Sequence, residues 1–129
     1  MSDQQQLERN KEVVMMFYDY IINKKDFESA RPLMTDDYKQ HNPTAEDGPE
    51  GLHAWLKVFY KEFPHLKADT RHVIAEGDMV VLHSLGVNGP SPNGTAVVDI
   101  FRVRDGKVCE HWDVIQPIPD DAQNVNSMF

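Results

Sequence analysis

The chain after Pro64 reads as four consecutive strand-like runs, and this pattern constrains the fold more than any other feature. Apolar and β-branched residues dominate four runs, at 66–76, 79–87, 95–104 and 107–116. Turn signals separate them, namely Gly77-Asp78, the Gly/Pro-rich segment 88–94 and Asp105-Gly106. Strands joined by connections this short pair antiparallel. The second half of the chain is therefore predicted to be an antiparallel meander.

The first half has the three- and four-residue apolar spacing of amphipathic helices. It predicts helices at about 5–23, directly after Asp26 and at about 49–63, with a short strand at 38–42 before the third helix. This layout predicts an α+β fold, in which three N-terminal helices pack in a strongly curved, mostly antiparallel sheet. Such a sheet forms a cone around its helices, and we expect a pocket inside the cone.

Length and composition limit the classes of function. A chain of 129 residues can bury a substantial core, and we expect one domain over 1–129 with a C-terminal tail at 118–129. The net charge of -8 and the scattered Lys and Arg residues argue against a nucleic-acid partner. No run approaches the roughly 20 apolar residues of a membrane span, and the only cysteine, Cys109, has no partner for an intrachain disulfide. We expect a cytoplasmic protein that binds neither nucleic acid nor membrane.

The last two runs form a hairpin that carries charged groups among apolar residues. Asp99 lies on its first strand, and His111 and Asp113 lie on the return strand. Both strands are expected to be at least half buried, and a buried carboxylate is costly unless it is paired or hydrogen-bonded. These three side chains are therefore the candidate catalytic residues.

The turn at Asp105-Gly106 decides whether these groups share a face. A two-residue loop leaves Asp99 and Asp113 on opposite faces. A three-residue loop, with Gly106 as the left-handed residue of a G1 bulge, gathers four side chains on one face: Asp99, Phe101, His111 and Asp113. We favour the three-residue loop because it brings the acidic groups and the imidazole together.

A second turn places two histidines side by side. A two-residue turn at Gly77-Asp78 pairs Glu76 with Met79, which sets His72 directly across from His83. These imidazoles either fill a half-buried sheet face or line the pocket.

The order of these elements, and the residues within them, resemble the SnoaL-like polyketide cyclase group of the NTF2-like superfamily. The resemblance covers nearly the whole chain and rests on five segments: Asp36-Asp37-Tyr38, Gln40-His41-Asn42-Pro43, Ala75-Glu76-Gly77-Asp78, Asp99-Ile100-Phe101-Arg102-Val103 and the run from Asp105 to Asp113. It implies the cone-shaped fold that ketosteroid isomerases share.

The resemblance also implies roles for single residues, but only in part. In the cyclases, an aspartate on the last strand acts as acid and base and resembles Asp113, whereas their glutamine and histidine on the preceding strand fall at Val97 and Asp99. In ketosteroid isomerases, an aspartic acid similar to Asp99 donates to an oxyanion, its partner tyrosine falls at Tyr18, and the base falls at or near Asn42. Epoxide hydrolases of this fold pair two aspartates through an arginine that falls at Val97. Each constellation is incomplete in this chain.

Two carboxylates in a water-poor cavity cannot both stay ionised at low cost. We therefore expect Asp99 to keep its proton and donate it to a carbonyl or enolate oxygen, while Asp113 removes a proton from the neighbouring carbon. The predicted activity is that of an enzyme without a cofactor, an aldol-type cyclase, isomerase or lyase that acts on a small hydrophobic carbonyl compound. A non-catalytic ligand-binding or dimerisation module is the alternative, and an epoxide-hydrolase-like enzyme is less favoured.

The remaining predictions concern binding. The residues expected to bind the substrate are Tyr18, His41, Asn42, Trp55, Phe59, His72, His83, Phe101 and Ile115. No histidine pair has the short spacing of a metal site, so we expect no metal. A curved four-strand sheet leaves one face uncovered by its own helices, which predicts a homodimer formed through the sheet.

Overall fold

The structure is a computed structural model, and it describes residues 2–129. Three α-helices, two of them extended by a turn of another helix type, occupy the first half of the chain. They are α1, Asp3–Tyr18, continued by a π-helical turn at Asp19–Asn23; α2, Phe27–Ala30, continued by a 3-10 turn at Arg31–Leu33; and α3, Gly48–Glu62. Side chains cap their N-termini: Ser2 and Gln5 form a capping box on α1, and Asp26 and Asp47 cap α2 and α3.

Five strands form one sheet, in the order β1-β5-β4-β3-β2. They are β1, Met34–Gln40; β2, Lys67–Glu76; β3, Met79–Val87; β4, Thr95–Arg104; and β5, Lys107–Pro117. The four strands from β2 to β5 pair antiparallel as predicted, and β1 pairs parallel with β5.

Two details of the predicted layout need correction. The first strand spans Met34–Gln40 rather than 38–42, and it joins the sheet beside β5, so the sheet has five strands rather than four. Since β1 precedes α3, the helices are not all N-terminal to the sheet. Among residues 2–129 no helix is long and apolar enough to cross a membrane.

The hairpin between β4 and β5 closes differently from our prediction. Asp105 and Gly106 both have positive φ, 53° and 74°, and Arg104 pairs with Lys107, so the loop has two residues. The predicted three-residue loop with a bulge at Gly106 is therefore wrong. An aspartate tolerates the left-handed conformation, and the extra residue is instead Cys109, which the register skips.

The bulge at Cys109 nevertheless has the effect that we predicted for a bulge at Gly106. Beyond Cys109, Phe101 pairs with His111 and Asp99 pairs with Asp113, so all four side chains share the inner face of the sheet. Without the bulge, the two-residue loop would have left the carboxylates on opposite faces.

The core lies between this inner face and the helices. Phe17 of α1 contacts Phe101 edge-on, with 5.9 Å between ring centroids, and both side chains are almost fully buried. Leu56 of α3 and Val80 and Leu82 of β3 are also fully buried in this core. The apolar faces of α1 and α3 thus pack against one side of the sheet, and the cavity described next lies on that side.

Candidate active site

A cavity of about 380 Å³ lies between the helices and the inner face of the sheet. Its walls are mainly apolar, and the polar groups come from neighbouring strands and from the end of β1. The predicted site residues that line it are Tyr18, Asn42, Trp55, Phe59, Asp99, Phe101, His111, Asp113 and Ile115. An apolar cavity with a few convergent polar groups is the usual form of a small-molecule site.

Asp99 and His111 are hydrogen-bonded in the wall of this cavity. His111 Nε2 lies 2.7 Å from Asp99 Oδ1, and the two residues are 8% and 5% exposed. The other carboxylate oxygen of Asp99, Oδ2, is buried and has no hydrogen-bond partner among residues 2–129, although the hydroxyl of Tyr18 lies beside Asp99. A buried carboxylate oxygen without a partner is rare and costly, so this atom can accept a hydrogen bond from a bound ligand.

The second imidazole nitrogen is held by Gln40. His111 Nδ1 lies 2.8 Å from Gln40 Oε1, and Gln40 Nε2 donates to the hydroxyl of Tyr38 at 2.9 Å. The backbone N–H of Asn42 also donates to Gln40 Oε1, at 3.0 Å. A chain of hydrogen bonds therefore runs from Asp99 through His111 and Gln40 to Tyr38.

Asp113 lies beside this chain and is held by Asn42. Asn42 Nδ2 is 3.0 Å from Oδ1 and 2.9 Å from Oδ2 of Asp113. The amide cannot turn round, because Asn42 Oδ1 already accepts from the backbone N–H of Thr44 at 2.8 Å and from its hydroxyl at 2.6 Å. His111 Nε2 lies 4.0 Å from Asp113 Oδ2.

Burial raises the pKa of Asp113, and the negative charge of Asp99 acts in the same direction, whereas Asn42 and His111 oppose it. Burial also raises the pKa of Tyr18 well above its ordinary value, and the charge of Asp99 raises it further. Asp113 is thus a stronger base than a solvated aspartate, and Tyr18 remains a protonated hydroxyl next to Asp99.

One histidine and two aspartates of the site also come close enough to share a metal ion. One ligand atom from each of Asp99, His111 and Asp113 lies within 4.8 Å of the others. A cation bound there would have to replace the hydrogen bond between Asp99 and His111. These are the side chains that could hold a metal ion if one bound in the cavity.

Three predicted binding residues lie outside the cavity. His41 is exposed, its Nε2 lies 2.7 Å from Glu110 Oε2, and its ring stacks on Trp112. Side chains alternate in an extended segment, so His41 points away from the cavity while Gln40 and Asn42, on either side of it, line the cavity.

The other two are His72 and His83. They are direct neighbours across β2 and β3, as predicted, with 5.3 Å between ring centroids. However, Leu82 and Ser84 are fully buried, so His83 between them projects from the outer face of the sheet. The pocket-lining prediction for this pair is corrected: the ring of Phe129, not a cavity, lies next to His83.

Sequence reasoning missed Gln40 and Tyr38 as site residues. Both line the cavity, and both belong to the segments that carried the family resemblance. The signal that could have found them is the alternation of side chains in an extended segment, which places residues 38, 40 and 42 on one face. Because Asn42 was predicted to bind the substrate, Gln40 and Tyr38 should have been included with it.

Comparison with known proteins supports the resemblance seen in the sequence. Residues 14–111 match the family model described as the SnoaL-like domain. The chain belongs to this SnoaL-like family. The matched segment includes Asp99 and His111 and ends before Asp113. No curated protein sequence matches the chain.

Solved structures with the same fold include several from the SnoaL-like group. A proposed SnoaL-like polyketide cyclase from Jannaschia sp. CCS1 is 26% identical, with a TM-score of 0.67, covering 84% of this chain and 86% of that one. A proposed polyketide cyclase from Bacillus cereus is 22% identical, with a TM-score of 0.74 and coverage of 88% and 78%. IdmH from Streptomyces antibioticus, also a proposed polyketide cyclase, is 22% identical, with a TM-score of 0.70 and coverage of 82% and 91%. These likenesses establish the α+β fold of a SnoaL-like, NTF2-like protein for this chain.

Proposed function

We propose that this SnoaL-like protein is an acid/base enzyme that works without a cofactor on a hydrophobic carbonyl compound, as an aldol-type cyclase, isomerase or lyase. The observation that carries the proposal is the meeting of two different proton-transfer groups in one apolar cavity. The hydrogen-bonded pair of Asp99 and His111 holds a proton, and Asp113 is a base whose pKa is raised by burial. An acid and a base on the same wall are what enolisation requires.

The chemistry follows from this arrangement. Asp113 removes a proton from the carbon next to the substrate carbonyl, and the electron pair of the broken C–H bond forms the enol double bond. The carbonyl oxygen takes the proton held between Asp99 and His111, so that no full negative charge develops on oxygen. When Asp113 returns its proton to a different carbon, the enol O–H gives its proton back to the Asp99–His111 pair and the carbonyl forms again, which completes an isomerisation. In an aldol cyclisation, the enol carbon instead attacks a second carbonyl of the same molecule to form the new C–C bond. The enol O–H proton then returns to the pair, and the oxygen of the second carbonyl takes the proton from Asp113.

The cavity favours a neutral, apolar substrate. Its lining includes aromatic and aliphatic side chains from both α1 and α3, such as Phe17, Trp55 and Phe59. It includes two carboxylates, Asp99 and Asp113, and no lysine or arginine among the described residues. Asp99 is paired with His111, and this pair offers no net positive charge, so an anionic ligand would lie near the carboxylate of Asp113 without a compensating cation.

Two other functions use the same cavity. A binding module without turnover would need only the apolar walls, and it is the alternative that the experiment below separates from an enzyme. An epoxide-hydrolase-like reaction is less favoured, because the arginine through which those enzymes pair their two aspartates falls at Val97, an apolar residue that lines the cavity here.

The test is exchange of carbon-bound protons, measured with 2-tetralone as a small apolar ketone in deuterated buffer. We expect the protein to accelerate exchange of the protons next to the carbonyl, followed by NMR. Asp113→Asn should lower that rate by roughly 10²- to 10⁴-fold, the usual contribution of a general base. The matched control is Asp121→Asn, an exposed carboxylate in the tail, which should leave the rate unchanged. Saturable binding of the ketone without accelerated exchange would support the binding module instead.

We also propose that the protein forms a homodimer through the outer face of its sheet. Ile74 and Val114 project from that face and are 61% and 67% exposed. Exposed apolar side chains on a sheet face that no helix covers are typical of an interface. Sedimentation at micromolar concentration should show a dimer, and Val114→Glu should convert it to a monomer.

The buried thiol of Cys109 is compatible with the predicted cytoplasmic location.

A further inference from the structure

We propose that Gln40 is a positioning residue that keeps one proton on Nδ1 of His111. A second proton then lies between Nε2 of His111 and Asp99, and this second proton is the one that can be transferred to a substrate. This inference rests on the proposed function, since it explains how the acid of that reaction is prepared. The contacts of Gln40 carry it, independently of any substrate.

The orientation of the Gln40 amide is fixed by groups other than the histidine. A backbone N–H can only donate, and the N–H of Asn42 points at the amide atom assigned as Oε1, 3.0 Å away. The opposite orientation would place the amide NH₂ against this N–H, two donors facing each other. The hydroxyl of Tyr38 can donate or accept and so fits either orientation, which leaves the Asn42 N–H to decide between them. The atom facing His111 is therefore a carbonyl oxygen.

A carbonyl oxygen accepts and cannot donate. His111 Nδ1, 2.8 Å from this oxygen, must therefore carry a hydrogen. A neutral imidazole has only one N–H, so Nε2 of neutral His111 is an unprotonated nitrogen with a lone pair.

That lone pair faces a carboxylate. His111 Nε2 lies 2.7 Å from Asp99 Oδ1, a distance that two lone pairs would not tolerate without a hydrogen between them. A second proton therefore occupies this contact. The pair is either a carboxylic acid with a neutral imidazole or a carboxylate with an imidazolium, and in both forms its net charge is zero.

The other tautomer would give a different site. With its single hydrogen on Nε2, a neutral His111 would donate to an ionised Asp99, and the pair would carry one negative charge. Asp113, whose Oδ2 lies 4.0 Å from Nε2, would then face a second uncompensated charge. The titratable groups around this pair are the hydroxyls of Tyr18 and Tyr38 and the carboxylate of Asp113, so no cation would offset it. Gln40 prevents this by accepting from Nδ1.

The test is the protonation state of His111, read directly by NMR of protein labelled with ¹⁵N in histidine. Cross-peaks between ring protons and ring nitrogens distinguish a protonated from an unprotonated Nδ1, and loss of one set in His111→Gln assigns the signals. In the wild-type protein near neutral pH, we expect Nδ1 to be protonated. Gln40→Glu, which still offers an acceptor, should keep this state, and Gln40→Met should shift the Nδ1 signal toward the unprotonated position.

An unprotonated Nδ1 in the wild-type protein would overturn the inference, and this result does not depend on the folding of a Gln40 variant. A Nδ1 signal that is the same in Gln40→Met and in wild type would also overturn it. Neither measurement involves a substrate. A protonated Nδ1 that depends on Gln40, together with no exchange of 2-tetralone protons, would support the role of Gln40 while removing the enzymatic proposal.

Discussion

His111 is hydrogen-bonded to Asp99, its diagonal neighbour across the β4–β5 hairpin, while the direct cross-strand partner of Asp99 is Asp113. Two carboxylates directly opposite each other repel. Here each has a different partner: Asp99 is bound to the imidazole, and Asp113 is bound to the amide of Asn42. The two acidic groups are thereby given different environments, which is how one site can hold both an acid and a base.

This arrangement predicts that Asp99→Asn removes the acid and leaves the base. An asparagine keeps the shape of the side chain and can still contact His111 Nε2, but it cannot pass on a proton. We expect the exchange of 2-tetralone protons to slow by about 10²-fold or more, with little change in the midpoint of urea unfolding. Rates equal to wild type would show that the Asp99–His111 proton is not used.

A second prediction concerns the pH dependence of stability. Burial raises the pKa of Asp113 above its ordinary value of 3.8. Between that pH and the higher folded-state pKa, the folded protein binds more protons than the unfolded chain. The stabilising contribution of Asp113 is therefore complete below pH 3.8 and is lost as the pH rises through the folded-state pKa.

Asp113→Asn removes this titration. We expect the variant to gain stability relative to wild type as the pH rises from 3.8 through the folded-state pKa of Asp113. Urea unfolding at several pH values measures the difference. Asp47→Asn is the matched control, because hydrogen bonds from the backbone N–H groups of Gln40 and Gly48 lower the pKa of Asp47, and its loss should act in the opposite direction. A difference that does not vary with pH would contradict the prediction for Asp113.

A third prediction links the site to the helix behind it. A Cβ at Gly51 of α3 would lie 2.1 Å from the backbone oxygen of Glu46, in the loop that also carries Asn42. Although alanine is normally the better helix former, Gly51→Ala must displace that loop, and we expect it to destabilise the protein by about 2 kcal/mol or more. Because the loop holds Asn42 against Asp113, exchange activity should fall as well.

The control for this variant is Gly77→Ala. Its added Cβ has no described atom within 4 Å, although Gly77 has a φ of +59°. The unfavourable conformation alone should cost about 1 kcal/mol, without any effect on proton exchange. Equal losses in the two variants would show that the contact with Glu46 does not matter.

The sequence was a good guide to the elements and a weaker guide to the site. Apolar spacing predicted the helices and the antiparallel strands, because burial of one face imposes a period on the residues. The shared face of Asp99 and Asp113 was predicted for the wrong reason. Asp105-Gly106 is typical of the two-residue turn that the structure has, but nothing in the local pattern showed that the bulge lies at Cys109. The direct pairing of His72 with His83 followed from the length of the turn between β2 and β3. The face of the sheet from which they project could not be predicted in this way, because it depends on which side of the sheet the helices cover, a property of tertiary packing.

The last prediction concerns the charge of the ligand. Since the Asp99–His111 pair is neutral overall and the described lining residues include the carboxylate of Asp113 but no lysine or arginine, the cavity should discriminate between ligands of similar shape by charge. We expect 2-naphthol to bind at least about 10-fold more tightly than 2-naphthoate at neutral pH, a difference of about 1.4 kcal/mol. Quenching of the fluorescence of Trp55 in the cavity wall measures both affinities. Asp113→Asn should reduce the discrimination, and Asp121→Asn should not. Preferential binding of the naphthoate would mean that the buried carboxylates are protonated or shielded in the free protein, and it would leave Asp113 unable to act as the base.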